Sequence, residues 1–166
     1  MISDLAELYL RHLASVWRYV RARVPSDVEA RDVTSEVFLR AIKSHARFDP
    51  ARGSEGAWLA GIARHTVADW WRHRPAELPV AEVDPSRRLV DGADGPEDRA
   101  VRRDATAVIG RSLGVLSDRE RDAVALRFAA GLRPAEVGSV LGISEAAAKM
   151  LVHRAVAKLR AVIDDE

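Results

Sequence analysis

Residues 117–160, SDRERDAVALRFAAGLRPAEVGSVLGISEAAAKMLVHRAVAKLR, restrict the fold more than any other stretch, because start and stop signals crowd them. Ser117 and Glu120 have the spacing of a capping box, in which hydroxyl and carboxylate each satisfy a free backbone N–H at a helix start. Gly131 ends that helix, and Pro134 stands where a first helical turn tolerates proline. The next helix stops at Gly142, and Ser144 caps a last one. Two helices therefore meet across Leu141-Gly142-Ile143-Ser144, the length a helix-turn-helix needs. Val137, Leu141, Ile143, Ala148 and Val152 are expected to pack beneath the turn, with Gly138 small where the helices approach. Beyond Glu145, the side chains of Lys149, His153, Arg154, Lys158 and Arg160 are expected to point outward. Four cations less the one acid Glu145 leave +3 along residues 145–160. A basic second helix suits the major groove of duplex DNA. An ordinary helical hairpin with a solvated charged face fits the same charges.

The first half reads as three helices. Leu5, Leu8, Tyr9, His12, Val16, Tyr19 and Val20 recur at helical spacing over residues 4–24, and Pro25 stops that helix. Ser26 and Glu29 suggest a second capping box, opening a helix to about His45 with Val33, Val37, Ala41 and Ile42 inward. A turn and a Gly-containing loop follow, and Ser54 caps a third helix over Glu55–Arg74, ended by Pro75. No alternating apolar run supports strands. Residues 75–95 hold three prolines and two glycines without a sustained period, which reads as a flexible acidic linker. A helix resumes near Pro96 and runs to about Leu116, giving the second half four helices. The expected fold is all-α, with a three-helix domain (1–75), a linker (76–95) and a four-helix helix-turn-helix domain (96–166).

Charge follows this division. Residues 1–74 carry 12 basic and 9 acidic side chains, 75–100 carry 3 and 7, and 101–166 carry 11 and 9. The net charge of +1 is too mild for a protein that coats DNA by charge alone. Cysteine is absent, which removes disulfides and thiolate metal sites and fits a reducing cytoplasm. The N-terminus has no basic region before its apolar residues, so no signal peptide is expected, and no apolar run is long enough for membrane insertion.

Two constellations stand out in the first half. Glu29, Asp32 and Glu36 share a helix face, with Arg40 one turn on offsetting part of their repulsion. The face is either simply solvated or a docking surface for a basic partner, with Phe38 and Leu39 adding apolar contact. The third helix interleaves Trp58, Trp70 and Trp71 with Arg64, His65, Asp69, Arg72, His73 and Arg74. Trp58 and Ile62 suit the core, whereas adjacent Trp70 and Trp71 point about 100° apart and cannot both be fully buried in one stripe. An exposed aromatic beside arginines suits stacking on an unpaired base, and equally the edge of a core. His65 and Asp69 share a face without an evident third metal ligand, so a local hydrogen bond between them is expected instead.

The segments DVEARDVTSEVFLRAIKSHARFDP and AWLAGIARHTVADWWRHR resemble the second conserved region of the ECF (extracytoplasmic-function) sigma factors. LSDRERDAVALRFAAGLRPAEVGSVLGIS and KMLVHRAVAKLR resemble the fourth. The resemblance implies two helical domains that bind core RNA polymerase and direct it to promoter DNA, without catalysis, metal or cofactor, in the cytoplasm and commonly under an anti-sigma protein. It places Asp32, Glu36 and Phe38, with Leu39, on the helix that docks on polymerase. Arg52, Trp58, Arg64, His65, Asp69, Trp70 and Arg72 fall where the −10 element is melted and a flipped base held. Arg133, Ser144, Glu145, Ala146, Ala147, Lys149, Met150, His153 and Arg154 fall where the −35 element is read.

The chain departs from the family at several of these positions. Asn is frequent where His65 stands, Ser-Arg where Met150-Leu151 stands, and Thr-Val where Ala147-Ala148 stands. Met150, Ala146 and Ala147 offer apolar contact to thymine methyls in place of an arginine. A stand-alone regulator that binds a palindrome as a dimer, and a helical metal hydrolase using Asp32, Glu36, His65 and Asp69, are the competing readings.

Overall fold

A computed structural model describes residues 2–74 and 114–165. Among them are six α-helices and no strand: α1 (Ile2–Arg23), α2 (Asp27–Ser44), α3 (Glu55–His73), α4 (Asp118–Val124), α5 (Pro134–Leu141) and α6 (Glu145–Asp164). The linker expected over 76–95 lies outside the described residues, as does the helix expected from Pro96 up to residue 113.

Serine caps set the helix starts. The Oγ atoms of Ser26, Ser54, Ser117 and Ser144 each accept from the backbone N–H three residues on, at 3.1–3.4 Å. Ser117 also receives the reciprocal half of its box, its own N–H donating to Glu120 Oε2 at 2.9 Å. Gly131 and Gly142 close their helices with φ of +72° and +68°, where a Cβ would be strained. The helix expected to run from 117 to 131 is not uniform: Ala125–Ala129 widen into a π turn. There Leu126 is wholly buried while Phe128 is 59% exposed.

The apolar stripes of both halves meet in one core. Leu8, Val20, Val37, Leu59 and Ala63 belong to the same buried cluster as Leu126, Leu132, Val137 and Ala148. The π turn packs on α1, and α5 packs on α3. Among the described residues, the helices of the first half and those of the second lie closed against each other. Helix α6 packs on α4 and α5 behind this joint.

Candidate nucleic-acid interface

The turn between α5 and α6 is a close approach of backbones. A Cβ at Gly138 would lie 2.8 Å from the Ile143 carbonyl oxygen, so only glycine fits without a shift. The Ile143 N–H in turn donates to the Gly138 carbonyl at 2.9 Å. Val137 and Ala148 are fully buried beneath this turn, and Leu141, Ile143 and Val152 are half-buried there. The turn thereby fixes α6 with Ser144, Glu145, Ala146, Ala147, Lys149, Met150, His153 and Arg154 all exposed. Lys149 pairs with Glu145 one turn back at 3.1 Å. Lys158 is not free on this surface: its Nζ holds Glu120 of α4 at 2.8 Å. That hydrogen bond, with the Ser117 N–H, keeps the Glu120 carboxyl below the usual glutamate range.

Two shallow grooves flank α6. Arg127, Lys149, His153 and Arg160 line one, and Arg119, Ala146, Met150 and Arg154 line the other. Arg119 and Arg127 are basic additions that sequence spacing does not reveal, because they come from α4 and the π turn. Arg133 caps α5, its N–H donating to Glu136 Oε2 at 2.8 Å. Its guanidinium reaches the same carboxylate at 3.4 Å.

In the first half, Arg40 joins two of the expected sites. Its Nε donates to Glu36 at 2.8 Å and its Nη1 to Asp69 of α3 at 2.8 Å. Asp32 stays exposed, as does Leu39, whereas Phe38 is 6% exposed and lies under the edge of Tyr9 at 4.8 Å. Phe38 therefore cannot offer the surface expected of it. It supports the α1–α2 packing, and Leu39 with Ile42, each about half exposed, form the apolar surface.

The expected His65–Asp69 bond is not made. His65 Nδ1 donates to the Gly61 carbonyl at 2.8 Å, which leaves Nε2 facing outward. Asp69 instead holds Arg40 and Arg72. A guanidinium is permanently charged and gives the Asp69 carboxylate a charge-assisted bond. Glu36 and Asp69 thus share the Arg40 guanidinium, His65 bonds its own helix backbone and Asp32 faces solvent, and no group of three metal-ligating side chains gathers among the described residues.

Arg52 lies in the exposed loop before α3, and Arg72 is exposed at its far end. Trp58 is half-buried against Phe48, their rings 5.1 Å apart. Trp70 is half-buried, Trp71 is 40% exposed, and their rings meet edge-on at 4.9 Å. The Arg74 guanidinium covers both rings, 5.1 and 5.4 Å from their centres. The Trp71 Nε1–H donates to the Arg23 carbonyl at 3.1 Å, which fixes the exposed indole in place.

Arg64 is engaged across the joint. Its Nε donates to Asp122 Oδ2 at 2.6 Å, and Tyr19 Oη donates to Asp122 Oδ1 at 2.5 Å. Burial, then the charge and hydrogen bond of Asp122, raise the Tyr19 hydroxyl well above its usual range, so it stays a donor. Sequence reasoning missed this group. Tyr19 reads as one more member of an apolar stripe, and the only signal is that a buried phenol needs a polar partner.

At the rim, Ser54 Oγ donates to Glu136 at 2.7 Å, and Glu55 accepts from Arg11 at 2.9 Å and lies 3.2 Å from His12 Nε2. Partial burial pushes both glutamates up, but these bonds outweigh it and leave both carboxyls below their ordinary range. A depressed carboxyl stabilises the fold fully above its unfolded pKa and loses that contribution as pH falls through the folded one. The melting temperature is therefore expected to fall as pH drops below roughly 4.3. Glu55→Gln and Glu136→Gln together should flatten that acid slope in thermal melts taken between about pH 3 and 6. An unchanged slope would contradict the assignment.

Family models for sigma-70 region 2 and sigma-70 region 4 match residues 8–76 and 112–161. The chain is 34% identical over 152 residues to the ECF RNA polymerase sigma factor SigD of Mycobacterium tuberculosis, covering 87% of this chain and 70% of that protein. It is 33% identical over 162 residues to the ECF RNA polymerase sigma factor BldN of Streptomyces coelicolor. That alignment covers 96% of this chain and spans 60% of the relative's length. Among solved structures, CnrH in complex with the cytosolic domain of CnrY shares the fold with a TM-score of 0.73 at 24% identity, covering 100% of this chain and 91% of that one. RpoE of Bartonella quintana, solved with the anti-sigma factor NepR, gives 0.70 at 19% identity, covering 97% of each chain.

Proposed function

The chain belongs to the ECF group of the sigma-70 family, and from that membership we propose that it binds core RNA polymerase in the cytoplasm and directs it to start transcription at specific promoters. It does so without catalytic chemistry of its own. The observation that carries this reading is a rigidly capped α6 with an exposed basic face, in the same molecule as an α3 that presents Trp71, His65 and Arg72. Helix α6 grips closed duplex upstream, mostly through phosphates, with Met150, Ala146 and Ala147 against base edges. Helix α3 takes the non-template strand once it unpairs, where stacking contributes about 1–3 kcal/mol per base. Asp32 and Leu39 dock on polymerase. Residues 1–75 and 96–166 serve as the two working domains, and an anti-sigma protein holds the chain inactive.

With a net charge of +1, the free chain binds promoter DNA weakly, and polymerase supplies most of the affinity. Run-off transcription with core polymerase and a pool of random promoters tests the proposal. Initiation at defined sites that depends on this chain is the expected result. A purified chain that does not associate with core polymerase would sink it.

A further inference from the structure

The exposed side of α6 divides into two strips of different chemistry. Lys149, His153 and Arg160 face the groove shared with Arg127, and Lys149 is already answered by Glu145 at 3.1 Å. The other groove has an apolar floor of Ala146, Ala147, Met150 and Leu151, and is lined besides by Arg154 and by Arg119 of α4. Met150 is 49% exposed and lies at the surface with Ala146 and Ala147, whereas Leu151 is half-buried. Arg119 and Arg154 are exposed, and neither forms an ion pair or a hydrogen bond among the described residues. Their charge is free for a partner, unlike that of Lys149 or Lys158.

A floor of this kind can read duplex DNA in one way. The side chains of Ala146, Ala147 and Leu151 have no donor or acceptor, and the Met150 thioether is a weak acceptor with no proton to give. None can pair with the polar base edges that the major groove displays. The apolar feature displayed there is the methyl group at C5 of thymine. Cytosine lacks it, and 5-methylcytosine carries the same group on the same carbon. An unbranched thioether with rotatable bonds can close over that methyl on either base. The two unpaired guanidiniums, on separate helices, suit phosphates, which hold the duplex in register without reading it.

We propose that this groove is a C5-methyl pocket. Met150, with Ala146 and Ala147, takes the methyl of thymine or 5-methylcytosine and discriminates against cytosine and uracil, while Arg119 and Arg154 hold the flanking phosphates. The pocket rests on the promoter-reading function above, and the experiment separates the two. A promoter selected from the random pool is rebuilt with each upstream thymine replaced in turn by deoxyuridine, which removes only the methyl. Initiation by this chain with core polymerase, at limiting protein, should fall about fourfold at the one or two positions under Met150, the effect of returning one methyl-sized group to water. At those positions cytosine should be poor, and 5-methylcytosine should recover about the same factor. Met150→Ala, at an exposed position, should keep the parent's melting temperature and remove most of the difference between thymine and deoxyuridine. Arg119→Ala should weaken every template alike and lower the salt slope of binding by about one. Deoxyuridine tolerated at every upstream position overturns the pocket, as does an undiminished methyl effect in Met150→Ala. If no template in the pool directs initiation, the functional reading falls instead. Binding of the free chain at low salt to duplex pools made with thymidine or with deoxyuridine then still decides the pocket, and equal retention overturns it.

Discussion

Gly138→Ala is expected to disable the second half of the molecule. The added methyl would meet the Ile143 carbonyl oxygen at 2.8 Å and the Ser144 carbonyl oxygen at 3.1 Å. Both are main-chain atoms in a four-residue turn, so neither can swing aside as a side chain would. Relief requires α5 and α6 to separate, which strains the Ile143 N–H bond to Gly138 and lifts Val137 and Ala148 from their packing. Overpacking of this kind costs about 1–3 kcal/mol. In a chain of this size that amounts to a fall in melting temperature of about 2–4 °C per kcal/mol. Promoter-directed transcription should fall further than stability does, because α6 loses its angle to DNA before the chain unfolds. Ser139→Ala, one residue on at an exposed position, should change neither reading. Thermal melts and run-off assays on the pair decide it, and a Gly138→Ala protein with the parent's melting temperature would refute the close-approach argument.

What could be read from the sequence is what local chemistry decides. Ser54, Ser117 and Ser144 cap where expected because an N-cap needs only its own next three residues. Gly142 and Gly138 were legible for a similar reason, since the turn that demands them is four residues long. The misreadings arise where distant parts compete for one group. Phe38 sits beside Leu39 on α2, but Tyr9 of α1 covers the one and leaves the other bare. Asp69 has a histidine on its own face, yet a cation from α2 takes it. Asp122 has no local signature at all, because its partners are 58 and 103 residues away. The π turn is likewise unannounced. It brings Leu126 into a core shared with α1, a requirement set by the other half of the chain.

That shared core makes Leu126→Ala a strongly damaging truncation. Leu126 is 0% exposed and is among the largest fully buried side chains. The surrounding wall is assembled from both halves, so it cannot collapse into the void without moving the joint. A buried Leu→Ala change costs about 2–5 kcal/mol. Against a typical domain stability of about 5–15 kcal/mol, that is a large share. Because the π turn packs on α1, the loss should be felt by the whole described structure. Thermal unfolding followed at the first-half tryptophans and by backbone circular dichroism should remain a single transition, displaced downward by several degrees. Leu39→Ala supplies the contrast. Its side chain is 51% exposed, so it should shift stability by no more than about 0.5 kcal/mol and weaken association with core polymerase instead. If the unaltered chain melts in two separate steps, or Leu126→Ala disturbs only one of them, the halves do not share a core in solution. The closed arrangement would then lack the packing on which its polar contacts depend.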